Sequence, residues 1–186
     1  MYSCCGYNKI IMRTLNTNKT TSIVFKPCNR FKTVSDSFPQ FTLAGCKLKV
    51  VEQFKYLGHL IHNSFSDDNN INREIKAMFT RTNLLCRRFK RCSTVVKLRL
   101  FQSYCICLYD SALWNNFTVA AINRLASCYV KCMKTFFGYS KFSSVTGMLL
   151  DLRLPSFTTL LHNYKIGFST RLAESDNTVV RCTLKM

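Results

Sequence analysis

The stretch Phe54-Lys55-Tyr56-Leu57-Gly58-His59-Leu60-Ile61 is an apolar run carrying one lysine and one glycine, and it reads as the last strand of a strand-like region. From Asn69 onward the period changes. Ile71, Ile75, Met78, Leu85 and Phe89 recur near helical spacing, so one helix face can pack. The chain therefore divides at about residue 63 into a β-rich part and a helical part. Upstream, Ser22 to Phe25, Phe41 to Ala44 and Lys47 to Val51 are short β-rich runs separated by turns. Gly45-Cys46 reads as a hairpin loop, because glycine supplies the positive φ that tight hairpins need. Lys26 to Gln40, with Pro27 and Pro39, reads as an exposed loop.

In the helical part, Asp67, Asp68 and Asn69 are natural caps for the first helix, and the carboxylates suit its positive dipole end. Ser93 can cap a second helix through Val96, Leu100, Tyr104, Leu108 and Ala112. A third runs from about Val119 through Leu125, Tyr129, Met133 and Phe136, closed by Gly138. Ser143 to Leu152 reads as a short helix. Pro155-Ser156 opens a last helix through Leu160, Tyr164 and Phe168, and the tail after about Glu174 reads as frayed. The expected class is α+β, with short antiparallel strands and a hairpin in the N-terminal third and a mostly α-helical bundle after it. Residues 1–40 are expected to be the least ordered.

Length and composition set the bounds. A chain of 186 residues can bury one real core, and 47% hydrophobic with 13% aromatic residues excludes a disordered chain. The balance of 27 basic against 9 acidic residues, a net +18, favours polyanions or anionic surfaces as partners. Charge-free stretches such as Phe101 to Tyr109 and the longest, Ser111 to Asn123, are too short to span a bilayer. The first residues lack the basic start and apolar centre of a signal peptide. Eleven cysteines include no C-x-x-C pair, and His59, His62 and His162 have no cysteine at zinc-finger spacing. The thiols read as small reduced hydrophobes in an intracellular protein.

Between Asn69 and Arg99 lie nine basic residues (Arg73, Lys76, Arg81, Arg87, Arg88, Lys90, Arg91, Lys97 and Arg99) and one acid, Glu74. Like charges crowded on a helix repel, and this excess is large for solubility alone, so contact with phosphates is the expected use. Phe79, Phe89 and Tyr104 sit on or near the apolar stripe and are expected in the core.

With these pieces in order, the chain resembles the reverse transcriptases of non-LTR (LINE-type) retrotransposons, from near residue 4 to about Leu172. The resemblance is carried by Asn16-x-x-Lys19-Thr20, Leu43-x-Gly45, Phe54-Lys55-Tyr56-Leu57-Gly58 and Phe89 to Lys97. It continues with Leu100-Phe101, Leu113-Trp114 and Leu154-Pro155-Ser156. It implies that residues 1–63 are a partial palm edge and primer-grip-like hairpin, 64–172 a thumb-like helical domain, and 173–186 a frayed tail. Lys19 would be a motif-D-like cation near the incoming nucleotide's phosphates, the one catalytic candidate. Lys55 and Tyr56 would touch primer backbone, and Gly58 would allow close approach or a bulge. Arg73, Lys76, Arg87, Arg88, Lys90 and Arg91 would track an RNA or RNA–DNA duplex by its backbone.

The family's paired aspartates, which bind Mg2+, precede the motif-D-like segment, so the chain is expected to start too late to hold them and to lack catalysis alone. Phe65-Ser66-Asp67-Asp68 imitates that pair but follows the grip-like segment, and capping is its expected role. The expectation is a truncated reverse transcriptase fragment that retains sequence-independent binding to template–primer nucleic acid. It would have no metal or cofactor of its own and no membrane partner, and would work in the cytoplasm or nucleus. Two alternatives stand: an incomplete sequence of an active reverse transcriptase, which the DNA upstream of the Met1 codon would reveal, and a helical protein-interaction module.

Overall fold

The computed structural model describes residues 16, 19–25, 38–43 and 45–183, so the expectation for residues 1–40 falls largely outside the described residues. The chain is α+β and divides into two units, 1–66 and 67–186.

Among its described residues the first unit holds three two-stranded pairings. β1 (Thr21–Ser22) pairs in parallel with β4 (Lys49–Val50), β2 (Thr42–Leu43) pairs antiparallel with β3 (Cys46–Lys47), and β5 (Gln53–Tyr56) pairs antiparallel with β6 (His59–His62). The parallel pair was not anticipated from the sequence. A Val51 N–H bond to the Ser22 carbonyl at 2.9 Å extends it. The 41–51 hairpin is present, closed by the Leu43–Cys46 pair, with Gly45 at φ 78.

Phe54 to Ile61, read as one strand, is instead a hairpin. Its turn is Leu57-Gly58, both at positive φ (47 and 90), which is the signature of the type I′ turn that matches strand twist. Gly58 is thus a turn residue, not a bulge. Leucine is poorly suited to its own position, since the left-handed region costs an L-residue with a Cβ about 1–2 kcal/mol. Leu57 is 77% exposed, so no packing offsets that cost. Leu57→Asn is therefore expected to stabilise the hairpin by about 1 kcal/mol. The measurable result is slower amide exchange at Tyr56 and His59, by about fivefold if local opening controls exchange. Unchanged exchange would contradict the turn assignment.

In the second unit, α1 (Asp68–Arg88) buries Ile71, Met78 and Leu85. α2 (Thr94–Tyr104) follows, then a 3-10 turn (Ser111–Leu113) and α3 (Val119–Phe137). α4 (Val145–Leu152), α5 (Phe157–Ala173) and α6 (Thr178–Thr183) complete it. The tail expected to fray carries α6. The core gathers around Phe101, whose ring lies 5.6–6.2 Å from those of Tyr129, Phe136 and Phe137, over the fully buried Ile71, Met78, Leu125 and Met133. Each such side chain contributes about 1.5–3 kcal/mol by burial.

α3 has the ends the sequence predicts. The Thr118 hydroxyl accepts from Ala121 N–H at 3.2 Å, and Gly138, at φ 80, returns its N–H to the Lys134 carbonyl. α2 departs from expectation, stopping at Tyr104 rather than running to Ala112. Side chains take over the carbonyls released there. Arg81 donates to the Tyr104 carbonyl (2.8 Å), Tyr164 to Ile106 (2.6 Å) and Ser111 to Leu108 (2.8 Å). These partners come from elsewhere in the chain or just downstream, and they let Cys105, Ile106 and Leu108 turn into the core. Among the described residues, no helix is long and apolar enough to cross a membrane.

Candidate nucleic-acid interface

The nine cations of 69–99 divide by what surrounds them. Arg73, assigned to phosphate contact from the sequence, is instead held by Asp110 at 2.6 Å. The Asp110 side chain is 1% exposed, and a carboxylate that deep needs a compensating charge. Arg81 is spanned by four acceptors: the Glu74 carboxylate, the Ala77 and Tyr104 carbonyls, and the Cys107 sulfur. Lys97 lies over the Phe136 ring, 5.8 Å from its centroid. These three serve the core.

The rest face outward. Lys76, Thr80, Asn83 and Arg87 fall on one stripe of α1 by the 3.6-residue turn, and all four are exposed. Arg87 and Arg88 end the helix, where their charge also complements the negative dipole end. Lys90 and Arg91 are the central residues of the next turn, closed by Cys92 N–H to the Phe89 carbonyl at 3.2 Å. Arg87, Arg88, Lys90 and Arg91 are all exposed and lie within five residues. Four cations on a helix end and a tight turn are held in place by backbone, a geometry suited to consecutive phosphates.

In the first unit, Lys55 and Tyr56 are exposed on β5, opposite Leu60 and His59. Their side chains alternate across the hairpin, so they present cation and ring to opposite faces. Lys19 is exposed, in a turn built by Asn16. The Asn16 carbonyl accepts from Lys19 N–H (3.1 Å), Thr20 N–H (3.1 Å) and the Thr20 hydroxyl (2.8 Å). The spacing Asn-x-x-Lys-Thr thus has a local reason, a side-chain-supported turn that projects the lysine.

Asp67 stands at the N-cap position of α1 without a side-chain cap bond, and Asp68 is the acid of its first turn. Asp67 Oδ2 instead accepts from Asn115 N–H and Asn116 N–H at 2.9 Å each. The Asp68 carboxylate accepts the Thr118 N–H and hydroxyl, also at 2.9 Å. The chain entering α3 offers a run of unpaired donors, and these carboxylates meet them. Among the described residues, no group of three or more His, Cys, Asp or Glu is placed to hold a metal ion.

The described thiols are free. Cys128 and Cys132, one turn apart on α3, lie 3.9 Å apart, a hydrogen-bond contact. The contact with Cys132 and burial push the Cys128 thiol well above its ordinary value. Burial pushes Cys105 up to about 11, against the Thr82 hydroxyl 3.4 Å away, which pulls the other way. Thiols so hard to ionise are poor nucleophiles, which suits their packing role.

Two residues expected in the core are outside it: Phe79 is 39% exposed and Tyr104 54%. Sequence periodicity placed them near the apolar stripe but could not see that Thr82 and Glu74 take buried positions on α1 instead. The remaining pieces of the resemblance have plain structural uses. Phe101 and Trp114 are buried, Tyr129 donates to the Pro155 carbonyl at 2.9 Å, and Ser156 accepts from Thr159 N–H. No family model, no curated protein and no solved structure matches this chain.

Proposed function

We propose that the chain is a nucleic-acid-binding piece of the LINE-type reverse transcriptase kind, gripping template–primer backbone through its helical unit without sequence preference. The observation that carries this is the cluster Arg87, Arg88, Lys90 and Arg91, exposed together while Arg73 and Arg81 are absorbed by internal carboxylates. Hairpin β5–β6, with Lys55 and Tyr56 exposed on it, supports a grip-like contact in the first unit. Asp67 and Asp68 are engaged by backbone donors, so the proposal assigns binding to this chain and not nucleotidyl transfer. It assigns no cofactor, and it implies an intracellular setting, cytoplasmic or nuclear, where such a polymerase works.

The test is fluorescence anisotropy with an RNA–DNA hybrid at rising salt. Four phosphate contacts imply a log–log slope near −3.6, so affinity is expected to fall about a hundredfold between about 50 and 200 mM salt. Binding that ignores salt, or no binding to the hybrid, would remove the proposal and favour a helical protein-interaction module.

A further inference from the structure

A groove of about 680 Å³ lies on the second unit, over the outer side of α3. Phe79 of α1 lines it together with residues of α3 and the turn after it, among them Val130, Lys131, Lys134, Tyr139 and Lys141. Its size suits a ligand of tens of atoms rather than a single side chain. Among the described residues no carboxylate lines it; the hydroxyl of Tyr139, one of its lining residues, donates to Asp151 Oδ2 at 3.5 Å.

The cations here are placed, not merely present. Lys134 Nζ donates to the Lys141 carbonyl (2.8 Å) and the Ser143 carbonyl (2.7 Å), which pins the chain leaving α3 back against the helix. An ammonium has three donors, so this arrangement fixes a positive charge at the rim while using two of them. Lys141 Nζ stands 4.8 Å from the centroid of the exposed Phe142 ring. Phe79 lies three residues from Lys76 and four from Asn83, its neighbours on the surface of α1. The groove therefore opens beside the exposed stripe that leads to Arg87.

We infer that this groove takes one nucleotide of a single-stranded nucleic acid, its base against Phe79 and its phosphate on Lys131 and Lys141. A positive groove with an aromatic wall is how proteins hold single strands without reading sequence, since every base has a face to stack. A duplex keeps its bases stacked inside and cannot offer one to the ring. An acidic peptide would satisfy the lysines and leave the aromatic wall unused. This inference rests on the nucleic-acid reading above, and it adds a single-strand site distinct from the duplex-tracking cations.

The experiment compares a labelled oligothymidine and the RNA–DNA hybrid by anisotropy, for the parent chain and for Phe79→Ala, Phe79→Trp and Lys131→Ala/Lys141→Ala. Phe79→Ala is expected to weaken oligothymidine binding about tenfold, the loss of one stacked base. The hybrid should lose less than about twofold, since its backbone contacts remain. Phe79→Trp should restore single-strand affinity, which separates stacking from damage to the fold. The double lysine variant should flatten the single-strand salt slope by about 1.4, two contacts at about 0.7 each.

Equal losses on both probes, or an unchanged oligothymidine affinity in Phe79→Ala, overturn the inference. So does polyglutamate that binds the parent chain with the same dependence on Phe79. If the parent chain binds neither nucleic acid, the proposed function falls with it. If it binds the hybrid and Phe79 is silent on the single strand, only the groove assignment falls.

Discussion

Replacing Arg87, Arg88 and Arg91 together by alanine is expected to lower affinity for an RNA–DNA hybrid about a hundredfold or more at about 0.1 M salt, and to flatten the log–log salt slope by about 2.7. Three exposed guanidiniums account for this, each neutralising one phosphate and releasing its counterion. The fold should survive. All three side chains lie at the surface, and removing two cations from the last turn of α1 costs at most about 0.3–1 kcal/mol each. Alanine's better helix propensity returns part of that. Arg73→Ala makes the opposite prediction, a stability loss from removing the ion pair to the buried Asp110 carboxylate, with little change in salt slope. If the triple variant binds as tightly as its parent, the basic turn is only a solvated helix end, and phosphate contact must be sought elsewhere.

That contrast marks where the sequence is legible and where it is not. Helix α3 could be read from its letters because the apolar stripe and Gly138 are local signals that agree. The end of α2 could not. Its carbonyls are satisfied by Arg81 and Tyr164, residues 23 and 58 positions away, and no window of sequence contains those partners. The hairpin at Leu57-Gly58 was hidden by a leucine in a turn position that Asn or Asp usually fills, which made two strands look like one.

The basic residues show the same limit. Charge count could not distinguish Arg73, held by Asp110, from Arg88, which faces water. The groove beside Phe79 was less visible still, because Lys131, Lys134 and Lys141 are brought to that aromatic only by the packing of α3 on α1 and the turn after Gly138. The signal that could have found it is the interleaving of lysines with Phe136, Phe137 and Tyr139 over 131–141.

Asp67→Ala is expected to be among the most destabilising changes in the second unit, by about 2–4 kcal/mol. Asp67 is 8% exposed, and a single carboxylate oxygen holds two backbone donors, Asn115 N–H and Asn116 N–H, at the start of the approach to α3. Hydrogen bonds to a charged acceptor are worth about 1.5–3 kcal/mol each, and water can reclaim part of that because Asn115 and Asn116 are themselves exposed. For a unit of this size such a loss lowers the melting midpoint by roughly 10–20 °C. Asp67→Asn keeps a carbonyl oxygen in place and should lose only about 1 kcal/mol, the difference between a charged and a neutral acceptor. Asp68→Ala should also lose about 1 kcal/mol, since its bonds to Thr118 are exposed to solvent. This ordering separates the two uses of the pair. If Asp67 acted only as a cap for α1, Asp67→Ala would cost about 1 kcal/mol and Asp67→Asn nothing, asparagine capping as well as aspartate. Thermal unfolding followed by circular dichroism decides between them, and a parent-like midpoint for Asp67→Ala would show that the carboxylate does not anchor the entry to α3.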